Sequence, residues 1–186
     1  MKSSNDATGR SEGAPAALAE LIQGAWRQER FLRRLAALYG RLQRQANARN
    51  VQCMGGGCCC RFDLAGHRLY VSTGELAMLA LAAPPYPQRS AKMRCPYQQG
   101  PRCLARERRP LGCRLFFCRS EPGQSQQQYE RYHRLIRRLH DRAGLEYRYL
   151  ELTSALLRLS ETQGPPASGP ADSGGTSPRN SPAPVV

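Results

Sequence analysis

Apolar residues recur at three- and four-residue steps between Pro15 and about Ala48, with arginines and glutamines between them. This spacing places them on one face of an α-helix, and proline is well tolerated in a first helical turn. The apolar stripe and its neighbours are Leu18, Leu21, Ile22, Ala25, Trp26, Phe31, Leu32, Leu35, Tyr39, Leu42 and Ala46. Gly40 lies inside the segment at a cost of about 1 kcal/mol relative to alanine, so the pattern allows one long helix or two.

A short strand followed by a capped helix is predicted near the middle of the chain. The strand is expected at residues 68–71, which read Arg-Leu-Tyr-Val. Ser72 is followed three residues later by Glu75, the capping-box pattern in which each side chain bonds to the backbone of the other residue. The helix then carries Leu76, Met78, Leu79 and Leu81 as core residues. It is expected to end before Pro84, because the residue preceding a proline disfavours helical geometry.

A long helix and a shorter one are predicted in the second half of the chain. Apolar residues at helical spacing run from about Gln126 to Ala143. Gly144 is the expected C-terminal cap, because glycine readily adopts the left-handed conformation that ends many helices. A further helix is predicted from about Tyr149 to Ser160.

Two histidines on the long helix admit two interpretations. His133 and His140 lie seven residues apart and so nearly on one helix face, where they could share a ligand. Arginines surround them in the sequence, so a solvated basic face is the favoured interpretation.

The polar segment 1–14 and the Gly-, Pro- and Ser-rich segment 163–186 are predicted to be disordered, which leaves a single domain over 15–162. No apolar run approaches the roughly 20 residues needed to cross a bilayer, and the first 25 residues lack the pattern of a secretory signal. We therefore expect a soluble, cytoplasmic protein without a membrane partner.

Eight cysteines lie between residues 53 and 118 in two batches of four. In a reducing compartment such cysteines more often bind metal or perform redox chemistry than form disulfides, although disulfides remain the alternative. Four thiolates satisfy one zinc ion or one iron–sulfur cluster. We expect zinc or iron, with an iron–sulfur cluster as one form of the latter, to be held by the two batches of thiolates. The candidate ligands are Cys53, Cys58, Cys59, Cys60, Cys95, Cys103, Cys113 and Cys118.

Glycines and arginines lie beside the cysteines in the sequence. Three glycines, 55–57, precede the triplet Cys58-Cys59-Cys60 and allow the tight turn that would aim several sulfurs inward. Neighbouring cysteines in extended backbone point apart, which favours two ions or a polynuclear site. Arg109 and Arg114 flank a cysteine and are expected to neutralise the thiolates or bond to groups around them.

No sustained hydrophobic period runs from Pro84 to Cys118, as expected where bound metal fixes loops in place of a core. The predicted fold is therefore a small, mainly α domain with irregular cysteine-rich loops, little strand and a stabilising metal.

The cysteine motifs resemble those of the YkgJ-type cysteine-cluster family, a zinc- or iron-chelating domain with a CxxCxxCC signature. Cys95-Pro96, Cys103 and the run Arg-Pro-Leu-Gly-Cys-Arg-Leu-Phe-Phe-Cys at 109–118 are similar to its C…RPxxCRxFxC segment, and 72–75 falls at a helix start of that family. The similarity covers roughly residues 50–145. It implies metal chelation, and one much longer relative is associated with methylation of flagellin lysines.

The first batch departs from the family signature. With Cys53 as the first cysteine and Cys59-Cys60 as the closing pair, Gly56 stands at the second position. Cys58 is an additional cysteine two residues later, which would take over the missing role. Arg106 stands where the family usually has tyrosine.

The charge of the chain adds a further alternative. The net charge is +14, and all but two of its 28 basic residues are arginines, which a GC-rich genome would also produce. The leading hypothesis is a metal-binding protein of undefined biological role, with an unspecified protein partner. The alternatives are a redox or methylation-related enzyme or accessory that uses the centre and, less favoured, a basic zinc module that binds nucleic acid. The cysteine spacing differs from that of common zinc fingers, and aromatic residues are not interleaved with the arginines in sequence.

Overall fold

The computed structural model describes residues 15–49, 56–80, 94–116 and 122–162. The two predicted disordered segments, 1–14 and 163–186, lie outside the described residues, as do Cys53 and Cys118.

The described residues form seven α-helices and four short strands. In chain order these are α1 (Pro15–Arg27), α2 (Glu29–Ala48), α3 (Phe62–Ala65), β1 (Tyr70–Ser72), α4 (Thr73–Ala80), β2 (Gln98–Gln99), β3 (Arg102–Cys103), α5 (Leu111–Leu115), α6 (Pro122–Ala143), β4 (Tyr149–Glu151) and α7 (Leu152–Thr162). The prediction of a mainly α fold with little strand is confirmed. None of the helices in the described ranges is long and apolar enough to span a membrane.

The first amphipathic segment is divided into two helices at Gln28, whereas the sequence placed the only candidate break at Gly40. Gln28 has non-helical angles of φ −93° and ψ 71°. Gly40 continues through α2, where an added Cβ would meet only the end of the Arg44 side chain at 3.6 Å. The weak helix propensity of glycine therefore does not interrupt α2 at Gly40. The break falls instead at Gln28, where the packing on either side decides it.

The two helices bury their apolar faces in different hydrophobic clusters. Helix α1 packs against α4 and α7 in the first cluster, while α2 packs against α6 in the second. The indole of Trp26 fixes α1 by donating to the carbonyl of Ala77 at 2.8 Å, and the Gln28 amide group donates to the carbonyl of Ala143 at 3.2 Å. A straight helix would direct one continuous stripe at one partner, so the change of partner accounts for the break.

Helix α4 begins as its capping box predicts. Ser72 Oγ accepts the Glu75 amide at 3.4 Å, and Glu75 Oε2 accepts the amide and the hydroxyl of Ser72, each at 2.8 Å. The helix is buried along most of its length, with Leu76, Met78 and Leu79 in the core. The core positions predicted there are confirmed for the residues that the structure describes.

The predicted helix from Tyr149 to Ser160 is wrong in its first turn. Residues Tyr149–Glu151 form β4, which pairs antiparallel with β1, so that Ser72 lies opposite Tyr149. Helix α7 starts only at Leu152, where the Glu151 carboxylate accepts the amides of Thr153 at 3.1 Å and Ser154 at 2.7 Å. The strand partner is 77 residues away in sequence, so the hydrophobic periodicity of the local sequence could not predict the pairing.

Helix α6 begins at Pro122, four residues before the predicted start, and ends as predicted. Gly144 has a φ of +62°, and its amide donates to the carbonyl of Asp141 at 3.2 Å. The next amide, that of Leu145, donates to the carbonyl of His140 at 3.1 Å. These two bonds form a Schellman motif, which confirms the glycine cap.

Candidate metal centre

The glycine-rich loop turns the first cysteines toward the second batch. Gly57 has a φ of +72°, and the triplet Cys58–Cys60 follows as a 3-10 turn. An added Cβ on Gly57 would lie 2.6 Å from Nε2 of Gln98, which donates to the Gly57 carbonyl at 3.1 Å. Only glycine suits both this backbone conformation and this close approach. This hydrogen bond attaches the loop to β2, the strand before the one that contains Cys103.

Backbone contacts bring the two cysteine batches together. The Cys95 amide donates to the Cys60 carbonyl at 2.8 Å, and the adjacent residues Arg61 and Arg94 form an antiparallel bridge. In the hairpin of β2 and β3, Cys103 lies opposite Gln98. Cys95 is part of the first hydrophobic cluster, and Cys60, Cys103 and Cys113 pack against that cluster from the outside. Thiols from three chain segments thus meet on one side of the core.

Cys113 is positioned by the start of α5. The amide of Leu111, the first residue of this helix, donates to Glu75 Oε1 at 2.8 Å. Gly112 comes so close to Leu69 that an added Cβ would lie 2.6 Å from a methyl group of that residue. Helix α5 therefore has a fixed position against β1 and α4.

The thiols of neighbouring cysteines change one another's pKa. The hydrogen bond with Cys60 is the largest influence on Cys59 and, together with burial, raises the pKa of Cys59 well above its usual value. The hydrogen bond with Cys59 lowers the pKa of Cys60, but a hydrogen bond with Cys95, burial and the proximity of Cys95 and Cys103 outweigh it and raise that pKa to about 12. Burial raises the pKa of Cys113, and Cys60 and Cys103 add to the effect. We call Cys59, Cys60, Cys95, Cys103 and Cys113 the thiol cluster.

The two predicted auxiliary arginines have different surroundings. Arg109 donates to the Cys113 carbonyl at 3.5 Å, and its charge lowers the pKa of Cys59 and Cys113, although other influences are larger. Arg114 donates to the carbonyl of Arg109 at 2.7 Å and to that of Glu107 at 2.6 Å, and its guanidinium lies 4.4 Å from the centre of the Tyr39 ring. Arg109 thus faces the thiols, whereas Arg114 braces the loop that carries Arg109.

Cys58 differs from its two neighbours. It is exposed, and its thiol donates to the Gly56 carbonyl of its own loop at 3.8 Å. All six cysteines in the described ranges are free, so none of them forms a disulfide there. Among the described residues, no group of three or more His, Cys, Asp or Glu side chains stands ready to hold a metal ion.

A buried polar site lies behind the thiol cluster. Glu75 is 3% exposed, and its Oε1 accepts the Tyr39 hydroxyl at 2.7 Å as well as the Leu111 amide. His140 is fully buried, and its Nε2 accepts the Gly74 amide at 3.3 Å. The predicted solvated basic face is therefore wrong for His140, whose burial lowers its pKa. The capping box indicated Glu75, but no sequence signal distinguished His140 from the arginines around it.

Six aromatic side chains lie together where β1, β4 and the helices α5 and α6 meet. Tyr70 and Tyr149 stack with ring centres 5.3 Å apart, and Tyr149 shares a short hydrogen bond with Tyr129. His133 forms a short hydrogen bond with the Tyr147 hydroxyl and is half-buried rather than solvated. The set, which we call the tyrosine face, consists of Tyr70, Phe116, Tyr129, His133, Tyr147 and Tyr149. Sequence analysis missed it, because its members come from β1, α6 and β4 and from the residues that follow α5 and precede β4.

Comparison of the chain with protein-family models, with curated proteins and with solved structures found no match. The resemblance to the YkgJ-type family therefore stays a prediction that rests on the motif residues alone.

Proposed function

We propose that the protein binds zinc or an iron–sulfur centre through the thiol cluster, with Cys53 and Cys118 as further candidate ligands. The observation that carries this proposal is the convergence of five free thiols from three chain segments on one side of the core. A structural role alone would not require so many thiols near one another, because a buried cysteine otherwise behaves as a small apolar residue.

The chemistry of the donors supports soft or borderline metals. Thiolates are the preferred ligands of zinc, copper(I) and iron–sulfur clusters, whereas calcium and magnesium require oxygen ligands. Burial, with the proximity of Cys60 and Cys103, raises the pKa of Cys113, and a hydrogen bond with Cys95 and burial raise that of Cys60 against the lowering hydrogen bond from Cys59. Thiols so placed ionise together only with a compensating cation. A bound metal would provide that positive charge and replace the thiol protons.

The backbone around the cluster supports binding without large rearrangement. The bond between Cys95 and Cys60 and the bond between Gln98 and Gly57 hold the first two segments together, and the bond between Glu75 and Leu111 holds the third. Metal binding then needs side-chain rotation and proton loss, and it draws on segments that are already adjacent.

The proposal is tested by measuring metal and acid-labile sulfide, with an absorption spectrum, on protein purified without oxygen. Iron with sulfide and a broad band near 400 nm identifies a cluster, while colourless protein with stoichiometric zinc identifies a zinc site. Cys60→Ser and Cys113→Ser are expected to lose most of the metal. Cys59→Ser and Cys118→Ser should do the same.

Cys58→Ser is the matched control, because it makes the same chemical change at the exposed cysteine of the same triplet. Cys58 was predicted as a ligand that replaces the missing second signature cysteine. Full metal content in Cys58→Ser would remove Cys58 from the ligand set. Protein that takes up neither metal, with its thiols free or paired, would refute the proposed function.

A further inference from the structure

The tyrosine face exposes aromatic rings at the protein surface. Tyr70 is 40% exposed, Tyr149 is 42% exposed and Phe116 is 38% exposed. The rings of Tyr70 and Tyr149 are nearly parallel, with an angle of 21° between their planes. A partly exposed, stacked pair provides a flat surface on which another planar ring can stack.

Three of the four tyrosine hydroxyls of this face are already engaged. Tyr129 and Tyr149 bond to each other, and the Tyr147 hydroxyl bonds to Nε2 of His133. A proline-rich peptide in an aromatic groove presents backbone carbonyls that need donors from the protein. Since these hydroxyls are occupied, the face offers ring surfaces more readily than hydrogen bonds. This arrangement favours a partner that is recognised by stacking.

Positive charge adjoins the rings. Tyr129, His133 and Arg137 follow one another at four-residue steps on α6, and the Arg137 guanidinium lies 5.3 Å from the centre of the Tyr147 ring. Helix α6 carries five arginines against two carboxylates. Arg134 and Arg138 are exposed and form no ion pair within the described part of the chain. The expectation that aromatic residues are not interleaved with arginines is wrong for this part of the chain, since Arg148 lies between Tyr147 and Tyr149 and Arg131 and Arg134 follow Tyr129.

We propose that the tyrosine face binds single-stranded nucleic acid, with bases stacked on Tyr70 and Tyr149 and phosphates drawn to Arg137 and its neighbours on α6. Base stacking on aromatic side chains combined with a basic surface is the physical basis of binding without strong sequence preference. The net charge of +14 favours the approach of a polyanion. This proposal does not depend on the metal centre, because none of the cluster cysteines belongs to the face.

The test is fluorescence anisotropy of the full chain with labelled oligouridylate and oligothymidylate of about 15 nucleotides, within the range of single-strand site sizes. Binding to both would show that the sugar is not read, and binding to the RNA alone would show recognition of the 2′-hydroxyl. In either case Tyr70→Ala and Tyr149→Ala are each expected to weaken binding about 5- to 100-fold, the range typical of a lost base–ring stack. Arg137→Gln should weaken binding and lower the slope of log K against log salt by about 0.7.

Matched variants separate stacking from other effects. Tyr149→Phe removes the hydroxyl and keeps the ring, so its affinity should stay within about 3-fold of the unaltered protein. Leu157→Ala truncates another exposed apolar side chain, 46% exposed on α7, and should bind normally. Arg33→Gln removes the same charge as Arg137→Gln at a guanidinium that lies 3.5 Å from Glu29, and should have the smaller effect. Thermal unfolding of each variant checks that it is folded.

Three outcomes would overturn the proposal. The first is no binding of either oligonucleotide at low salt. The second is equal weakening by Arg137→Gln and Arg33→Gln with normal binding by Tyr70→Ala and Tyr149→Ala, which would indicate general attraction to a basic protein. The third is tighter binding of a labelled proline-rich peptide that is lost in Tyr149→Ala, which would assign the face to peptide recognition.

Discussion

The Glu75 carboxylate accepts a hydrogen bond from the backbone amide of Leu111 at 2.8 Å, across 36 residues of sequence. The same side chain completes the capping box with Ser72 and accepts the Tyr39 hydroxyl. Because α5 begins at Leu111 and carries Cys113, one carboxylate joins the helical core to the helix that presents a thiol of the cluster.

Glu75→Gln is expected to lower the free energy of unfolding by about 1–3 kcal/mol. The amide group of glutamine can accept on one side only, so either the Ser72 donors or the Leu111 and Tyr39 donors lose their partner while buried. Urea denaturation measures the change. Glu146→Gln is the control, because Glu146 is half-exposed in an ion pair with Arg148 and should change stability by less than about 1 kcal/mol. Equal effects of the two substitutions would contradict the role given to Glu75.

Gly74→Ala is expected to destabilise the protein by about 1–3 kcal/mol through overpacking. A Cβ at this position would lie 2.3 Å from a ring carbon of Phe31 and 2.8 Å from Nε2 of His140, and both rings are buried. Gly24→Ala, in α1, is the opposite case, since an added Cβ meets nothing within 4 Å. It should stabilise the protein by about 0.5–1 kcal/mol through helix propensity. Thermal unfolding of the two variants should therefore shift in opposite directions.

His140 is expected to make stability fall in mildly acidic solution. Burial lowers its pKa below the usual 6.5, and protonation would turn the acceptor of the Gly74 amide into a donor. Below about pH 6.5 the unfolded chain takes up a proton that the folded chain resists, so stability present above that pH is lost as the pH falls toward the folded pKa. The slope is at most about 1.4 kcal/mol per pH unit for one proton.

The measurement is the free energy of unfolding between about pH 8 and pH 5 for the unaltered protein and for His140→Gln. Glutamine can still accept the Gly74 amide but does not titrate, so the pH dependence should become shallower. The remaining dependence includes His133, whose pKa is also lowered by burial. His67→Gln is the control at an exposed histidine. Parallel curves for the unaltered protein and His140→Gln would contradict the prediction.

Metal removal is expected to loosen the cysteine-bearing segment 94–116 more than the long helices. Helices α2 and α6 pack against each other in the second hydrophobic cluster, whereas β2 and β3 are two-residue strands. If the thiol cluster binds metal, chelation should speed amide exchange of 94–104 well before that of α6, as followed by mass spectrometry. Uniform exchange across both regions after metal loss would contradict a local stabilising role.

The sequence predicted elements whose signals are local. The capping box of Ser72 and Glu75, the glycine that ends α6 and the core positions of α4 follow from neighbouring residues, and the structure confirms them. The binding of metal by the two cysteine batches stays a prediction. That Cys59 and Cys60 turn inward while Cys58 remains exposed was not predicted, because it depends on the left-handed Gly57 and its contact with Gln98.

The missed features depend on contacts between distant segments. The helix break falls at Gln28 because two hydrophobic clusters divide the apolar stripe, which helix propensity at Gly40 does not report. Strand β4 depends on β1, and His140 is buried because Phe31 and Tyr147 pack against it. Each of these is set by tertiary packing, which overrides local preference.

The division at Gln28 also sets an order for folding during synthesis. The second hydrophobic cluster, from Phe31 to Ile136, has all its members once most of α6 has left the ribosome. The first cluster joins Leu18 of α1 to Leu159 of α7, the first and last helices described, and its completion must close a loop of more than one hundred residues. Helix α1 can therefore pack against α4 early but meets α7 only at the end, so the apolar surface of α1 and α4 that α7 covers stays exposed longest on the nascent chain and is the surface most prone to aggregation.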